Sequence, residues 1–465
     1  MRVIVIGAGK VGYRIAETLS LEGYNVVVID KDEDVIRRVS ENLDVMAIRA
    51  NGLGKQPLKE LGVDKDDWLI AMMENDAGNM ISCLAAKNLG VGQTIARIRD
   101  PELINDLAIS QEDVAVDYVI NPEGSTAREI SRWITLSPAG QLEDFAEGRV
   151  QIVQVPVKLA SPLAGMPIQA VGQLAPILVA GISRDGRLII PSGADRIQGG
   201  DELFVTGKSA DVTAFCDSLG MAPHKPRNLL IVGGGRLSYY LAKDLVSQGL
   251  AVKIIESNLA RCQELSELLP QVLVIHGDGT DVNLLKAENI AEMDAFVALT
   301  GRDEENLLVA LLAKQLGSRR AIAKVSRPNY IHLSGTIGID GVVTPSLITT
   351  AEILRIVRGG RIMSLFLIFG GEAEIMELPV DPSAPAANTR LRDLPMPRES
   401  LVTTVVRGDE VIVPRGDTVI KPQDRVIVIC KVERNEAIRR LFGEQGRILD
   451  GFWKRLARTR LTSRN

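Results

Sequence analysis

The sequence predicts an α/β protein built from two tandem copies of one unit, each a doubly wound parallel sheet followed by a small α+β module. Three observations predict it. The run VIVIGAGKVG at Val3–Gly12 returns as LLIVGGGRLS at Leu229–Ser238. Short β-branched runs alternate with helical patterns in the first part of each copy, as a parallel sheet requires. Past Gln141 the pattern changes to short strands parted by turn signals.

The repeat extends well beyond the opening run. Gly7 maps onto Gly233 and Asp30 onto Glu256 at an offset of 226 residues. Asn51 maps onto Asp278, Asn79 onto Asn306 and Lys87 onto Lys314 at 227, and Pro122 onto Pro345 and Asp201 onto Asp424 at 223. A drift of a few residues is what loop insertions produce. The chain is therefore two copies of one architecture, not a cofactor domain followed by a different catalytic domain.

The elements follow in order. MRVIVIG is the first strand, and GKVGYRIAETLSLEG is a helix with Ile15 and Leu19 on one face. NVVVID is the second strand. DEDVIRRVSENL is the next helix, with Asp32 or Asp34 near its N-cap. DVMAIRA and WLIAMM are the third and fourth strands, and a long helix runs from Ala77 to Leu89. TIARIR, with Arg97 and Arg99 at opposite ends of one pattern, is the fifth strand, and VDYVINP the sixth. The second copy repeats this from Leu229 to about Arg358. The modules show RVQIVQVPV, PILVAGISRDG, RLIIP and DELFVTG in the first copy, and EAEIMELPV, SLVTTVVRGD, EVIVP and DRVIVICK in the second. APHKPR at Ala222–Arg227 links the copies.

Composition excludes several functions. Fifty-four Lys+Arg against 59 Asp+Glu give a net charge of −5, against the basic excess of a generic nucleic-acid binder. Cys83, Cys216, Cys262 and Cys430 form no CxxC pair, and His224, His276 and His332 are scattered, so no zinc spacing is present. The cysteines read as buried or neutral thiols in a reducing compartment. The opening run is too short and too Gly-rich for a signal peptide, and no window reaches the length of a membrane span.

Gly7, Gly9 and Gly12 lie in GAGKVG, between a predicted strand and a predicted helix. In that context the first glycine permits a tight turn, the second lets backbone N–H groups approach a pyrophosphate, and the third allows close helix–strand packing. Ala8, Lys10 and Val11 complete the loop, and the helix N-terminus adds positive partial charge. Asp30 ends the second strand 18 residues after Gly12, where a carboxylate binds ribose hydroxyls and repels a 2′-phosphate. The pattern predicts a Rossmann-like nucleotide site. The second copy keeps Gly233, Gly235, Arg236 and Glu256 but has Ser238 for the third glycine, a degraded version of the site. Asn51 and Asp278 end the third strand and read either as adenine contacts or as polar turn residues. Arg97 reads either as a phosphate clamp or as a surface ion pair, and its counterpart is Lys324. No histidine recurs in both copies, and no serine has a GxSxG context. Binding without chemistry is the simpler account. An NAD-dependent oxidoreductase is the alternative, which calls for a catalytic domain that the repeat does not contain.

GAGKVG, Asp30, the segment Ala71–Asp76, the run ARIRDPEL at Ala96–Leu103 and the doubling resemble the TrkA family, the regulatory subunits of Trk-type potassium uptake systems. The resemblance implies tandem RCK (regulator of potassium conductance) domains. It divides the chain into an N-terminal RCK domain at 1–137, a C-terminal module at 138–222, a second pair at 226–361 and 362–445, and a basic tail at 446–465. It implies binding of NAD(H), with ATP or ADP as alternative ligands, through Gly7–Val11, Asp30 and Arg97. It implies a homotetrameric ring on the cytoplasmic face of the plasma membrane, gating a TrkH-like potassium channel subunit without turnover. The family's Thr-Asn pair after the fourth strand is Met73–Glu74 here, and its Asp after the third strand is Asn51. In the second copy Asp278 and Thr300 fit the pattern, while Ser238, Gly301 and Lys324 depart from it. A nucleotide sensor for another membrane partner is the remaining alternative. The tail residues Phe452–Asn465 carry five cations, no acid and an interleaved apolar stripe, and read either as a frayed, solvated terminus or as a contact with the anionic inner leaflet or the channel's cytoplasmic surface.

Overall fold

The computed structural model describes residues 1–100, 103, 115–135, 142–221, 225–327, 330, 338–358 and 362–443. The basic tail, His224 and His332 lie outside them.

The first copy begins with β1 (Arg2–Ile6), α1 (Lys10–Leu21), β2 (Asn25–Asp30), α2 (Glu33–Asn42), β3 (Met46–Arg49), α3 (Lys55–Glu60), β4 (Trp68–Ala71), α4 (Asp76–Lys87), β5 (Gln93–Arg97), β6 (Tyr118–Ile120) and α5 (Pro122–Thr135). The strands form one parallel sheet in the order β3-β2-β1-β4-β5-β6, with Val5 beside Val28 and Ile70. The central strands are apolar on both faces because helices cover both, and Val3–Ile6 are buried. Asp32 caps α2 by accepting from the Asp34 and Val35 backbone N–H groups.

The first module contains β7 (Leu142–Phe145), β8 (Val150–Pro156), α6 (Ile168–Leu174), β9 (Ile177–Arg184), β10 (Arg187–Ile189), β11 (Glu202–Lys208) and α7 (Ser209–Ser218), in the sheet order β10-β9-β11-β8-β7. The second copy follows with β12 (Asn228–Val232), α8 (Arg236–Ser247), β13 (Ala251–Glu256), α9 (Leu259–Leu268), β14 (Leu273–His276), α10 (Val282–Ala287), β15 (Ala295–Ala298), α11 (Asp303–Gln315), β16 (Ala321–Lys324), β17 (Gly341–Val343) and α12 (Pro345–Val357). Its sheet order, β14-β13-β12-β15-β16-β17, is that of the first copy. The second module has β18 (Ser364–Ile368), β19 (Ala373–Pro379), β20 (Thr389–Arg390), β21 (Ser400–Arg407), β22 (Glu410–Ile412), β23 (Val419–Ile420), β24 (Arg425–Lys431) and α13 (Asn435–Phe442). Its main sheet runs β18-β19-β24-β21-β22. The doubled fold is thus an α/β repeat with two antiparallel modules.

The structure corrects several local expectations. The fifth strand stops at Arg97, so Arg99 is not on it. There Arg99 pairs with Asp76 at 3.3 Å and donates to the Glu74 carbonyl, stapling the loop after β4. The strand pattern also missed β7, β18 and the β20–β23 pair, which are two to five residues long. The helix expected at Ala77–Leu89 is Asp76–Lys87, because Asn75 caps it by accepting from the Gly78 N–H.

The two copies exchange their last helices. α5 packs on α8 of the second copy, and α12 packs on α1 of the first, with α5 and α12 touching each other. One core therefore joins α5 and the first module to the second parallel sheet, and another joins α12 and the second module to the first sheet. The modules meet through Phe145, Phe204, Phe369 and Ile429. Among the described residues no helix is long and apolar enough to cross a membrane.

Candidate functional site: a cleft at the first glycine loop

The carboxyl ends of β1, β2 and β4 open into a cleft of about 1070 Å³. That edge is where an open parallel sheet leaves backbone and helix termini free for a ligand. Gly7 turns the chain with φ +87°, a left-handed conformation that a side chain would strain. Gly12 lies under the turn: a Cβ there would sit 1.9 Å from the Gly7 carbonyl oxygen. Gly9 faces open space, with nothing within 4 Å of where its Cβ would be. The three glycines thus meet three different geometric demands.

Asp30 organises the loop. One of its oxygens accepts from the Ala8 N–H at 2.7 Å and the other from the Asp32 N–H at 3.0 Å. Each carboxylate oxygen has a further lone pair, so the group can still accept from hydroxyls in the cleft. Gly7, Gly9, Lys10, Val11, Asp30, Asn51, Met73, Glu74 and Arg97 all line this one cleft. Asn51 spends one oxygen on the Leu53 N–H at 3.1 Å, the polar-turn reading. Arg97, at the end of β5, pairs with Glu123 at 3.3 Å. Burial pushes its guanidinium below its ordinary value, and the Glu123 charge works against that.

Two features were not foreseen. The buried Asn79 amide accepts from the Met73 N–H at 2.8 Å and donates to the Arg97 carbonyl at 2.8 Å, tying the ends of β4 and β5 together. Asn306 does the same for Thr300 and Lys324, at 2.8 and 2.9 Å. The recurrence of this Asn at offset 227 was the available signal. The second feature is the far wall: Ser326, Pro345 and Ser346 come from the second copy. Nothing in a one-dimensional pattern announces that α12 crosses over.

The second loop is built with different residues. Gly233 turns at φ +95°, and Gly235 again faces open space. Arg236 opens α8. Glu256 accepts from the Gly234 N–H at 2.6 Å, as Asp30 does from Ala8. A Cβ on Gly234 would lie 2.7 Å from Leu265 Cδ1 and 3.0 Å from Cγ of Glu256, a side chain one methylene longer than Asp30, and together these account for Gly where the first copy has Ala. Ser238 stands where Gly12 does and donates its hydroxyl to the Gly233 carbonyl. Asp278 accepts from the Thr280 N–H and hydroxyl, which hold its carboxyl below the usual range. Among the described residues the Lys324 ammonium donates only to the Leu299 carbonyl, at 3.5 Å. Burial pushes it down, with Asp303 opposing and Lys10 of the first loop adding to the effect.

The four cysteines are buried and unpaired. Burial raises the Cys83 thiol to about 12 and the Cys216 thiol to about 11, so neither is an activated nucleophile.

Comparison with known proteins agrees with this geometry. The TrkA-N domain matches residues 3–122 and 229–345, and the TrkA-C domain matches 152–220 and 375–443. A Trk system potassium uptake protein TrkA homolog of Archaeoglobus fulgidus is 35% identical, covering 95% of this chain and all of the relative. Trk system potassium uptake protein TrkA of Halomonas elongata is 33% identical over 95% of this chain and 98% of its own length. Among solved structures, the GsuK RCK domain superposes with a TM-score of 0.59 at 18% identity, over 96% of this chain and 95% of that one. The GsuK channel bound to NAD gives the same score at 17% identity, over 96% of this chain and 79% of that one. With both domain types matched twice and in alternation, this chain belongs to the TrkA family.

Proposed function

We propose that this chain is a nucleotide-sensing regulatory subunit of a potassium uptake system, working by conformational change and not by catalysis. It binds NAD(H), with ATP or ADP as alternative ligands, in the first glycine-loop cleft. Four copies form a ring of eight RCK units at the inner face of the membrane, against a Trk-type (TrkH-like) potassium-conducting subunit. The observation that carries the reading is the composition of the cleft: one wall is the glycine loop of the first copy, and the other is Ser326, Pro345 and Ser346 of the second. A ligand shifts a conformational equilibrium only through unequal contacts with the two states, and a ligand held between two bodies supplies such a difference.

Calorimetry on the full chain tests it. NADH should bind more tightly than NADPH, because Asp30 repels a 2′-phosphate, and Asp30→Ala should weaken NADH by about 1–3 kcal/mol. Equal or tighter NADPH binding would overturn the ribose assignment. Steady consumption of NADH with any substrate would favour an oxidoreductase instead. Loss of co-purification with a membrane potassium transporter when the ring is disrupted is the expected sign of the partnership.

A further inference from the structure

The first cleft has an unusual charge arrangement at its inner end. Arg97 lines the cleft and points at Glu123, the second residue of α5. Their contact is one long bond, 3.3 Å from a guanidinium nitrogen to Oε1. The Arg97 Nε and the Glu123 Oε2 are both buried with no hydrogen-bond partner. A guanidinium has five N–H donors and is best satisfied by a bidentate anion, so this pair leaves much of Arg97's capacity unused. Lys324 of the second copy, half-buried and without an ion-pair partner among the described residues, feels the charges of Asp303 and Glu123. Lys10 of the first loop adds a third cation to the group. Glu123 thus acts on a cation of each copy, Arg97 and Lys324, with Asp76 as a further carboxylate near Arg97 and Asp303 near Lys324.

The repeat makes the position informative. Glu123 corresponds to Ser346 at the offset of 223 that relates Pro122 to Pro345. Ser346 is the second residue of α12 and lines the first cleft, so the same helix position carries an anion in one copy and a neutral hydroxyl in the other.

We propose that Glu123 is an internal competitor for ligand phosphate at Arg97, and so a residue that sets nucleotide affinity in the first cleft. A phosphoryl group entering the cleft offers Arg97 several acceptor oxygens in place of one. Arg97 turns to it, and the released Glu123 carboxylate pairs with Lys324. Occupancy of the first copy is thereby passed to the end of β16 in the second. Ser346 carries no charge and offers no such exchange. The inference rests on the first cleft being a nucleotide site.

The experiment is calorimetry of the full-length protein with ADP, in buffer free of divalent cations. Glu123→Gln keeps the size of the side chain and removes the competitor, and should tighten ADP by about tenfold, the order of one charge-assisted contact. Ser346→Glu places a carboxylate on the opposite wall and should weaken ADP by a similar factor. Structural damage would weaken both, so the opposite signs are diagnostic. Lys324→Gln should cost more in the parent than in the Glu123→Gln background, because only the parent has a carboxylate to receive. If the parent binds ADP and Glu123→Gln binds it equally or more weakly, the competitor role is overturned. Additive effects of Glu123→Gln and Lys324→Gln would overturn the hand-off. A parent that binds no nucleotide would overturn the cleft reading itself, and this inference with it.

Discussion

Replacing Arg358 by Met should be among the most damaging single changes in the chain. Arg358 follows the last turn of α12 and is fully buried. Its Nη1 and Nη2 donate to the two oxygens of Glu374 on β19 at 3.2 and 3.0 Å, and its Nε donates to Glu22 at the end of α1 at 3.1 Å. Asn435 of α13 donates to the same Glu374 at 2.7 Å. The Glu22 side chain is 5% exposed and that of Glu374 is fully buried. Burial alone would push Arg358 down, but the two carboxylates more than offset it and hold the guanidinium above its ordinary value.

Removing the arginine leaves two buried carboxylates facing each other without their hydrogen-bonded cation, with Arg439 the remaining positive charge acting on Glu374. The cost of breaking a buried pair this way is about 3–5 kcal/mol. At about 2–4 °C per kcal/mol for a unit of this size, the first-copy transition should fall by about 6–20 °C. The assay is differential scanning calorimetry of the full chain, with limited proteolysis to identify which unit opens first. The control combines Glu22→Met, Arg358→Met and Glu374→Gln, which removes all three charges and keeps an acceptor for Asn435. It should regain most of the loss, since buried ion networks exchange for neutral packing at little net cost. A single variant that melts within about 2 °C of the parent, or a triple variant as unstable as the single, would refute the reasoning.

Three further outcomes follow from named geometry. Gly9→Ala should fold normally yet lose nucleotide affinity, because its Cβ enters only ligand space, whereas Gly12→Ala should also lower the melting temperature, because its Cβ meets the Gly7 carbonyl at 1.9 Å; equal melting of the two variants would count against this account of the loop. Burial would raise the Asp67 carboxyl, but hydrogen bonds from Arg2 and from the Asp64 and Arg2 backbone N–H groups outweigh it and hold it below the usual range. Its stabilisation is therefore complete above the unfolded value near about 3.9 and is lost as pH falls through the lower folded value, so Arg2→Gln should move the acid-unfolding midpoint to higher pH. Ile81 and Leu308 occupy the same position of α4 and α11 and are 51% and 66% exposed; changing both to Glu should lower the mass seen by light scattering, and an unchanged mass would remove these faces from the proposed ring.

The fold was legible because its signals are local and repeated. The glycine loop, the acid after β2 and the alternation of strand and helix each occupy a short window, and each occurs twice. What stayed hidden depends on tertiary packing. No periodicity shows that α12 leaves its own sheet, since its buried face reads the same against either copy. Glu22, Arg358 and Glu374 each look like ordinary surface charges in sequence, being 336 and 16 residues apart around Arg358. Ser238 looked like the loss of a glycine. In place it supplies a hydroxyl to the Gly233 carbonyl, a different way of seating the same helix.

The exchange of helices also explains how two similar halves can behave differently. α1 starts at the first glycine loop, runs against α12, and ends at Glu22 in the ion network that reaches β19 of the second module. Its counterpart α8 starts at the second loop and runs against α5. There Gln248, the counterpart of Glu22, makes a neutral contact, from its amide to the Ser131 hydroxyl at 2.9 Å. Tyr240 of α8 reaches back to the Arg99 carbonyl at 2.8 Å, beside the loop that lines the first cleft. A buried two-carboxylate clamp resists displacement far more than one half-exposed amide contact does, because opening it strands charge. A displacement of the first loop would thus meet a stiff connection to the second module, while the second loop is joined to its crossover helix through the neutral Gln248–Ser131 contact. The polar contacts place the stiffer coupling on the copy whose glycine loop is intact.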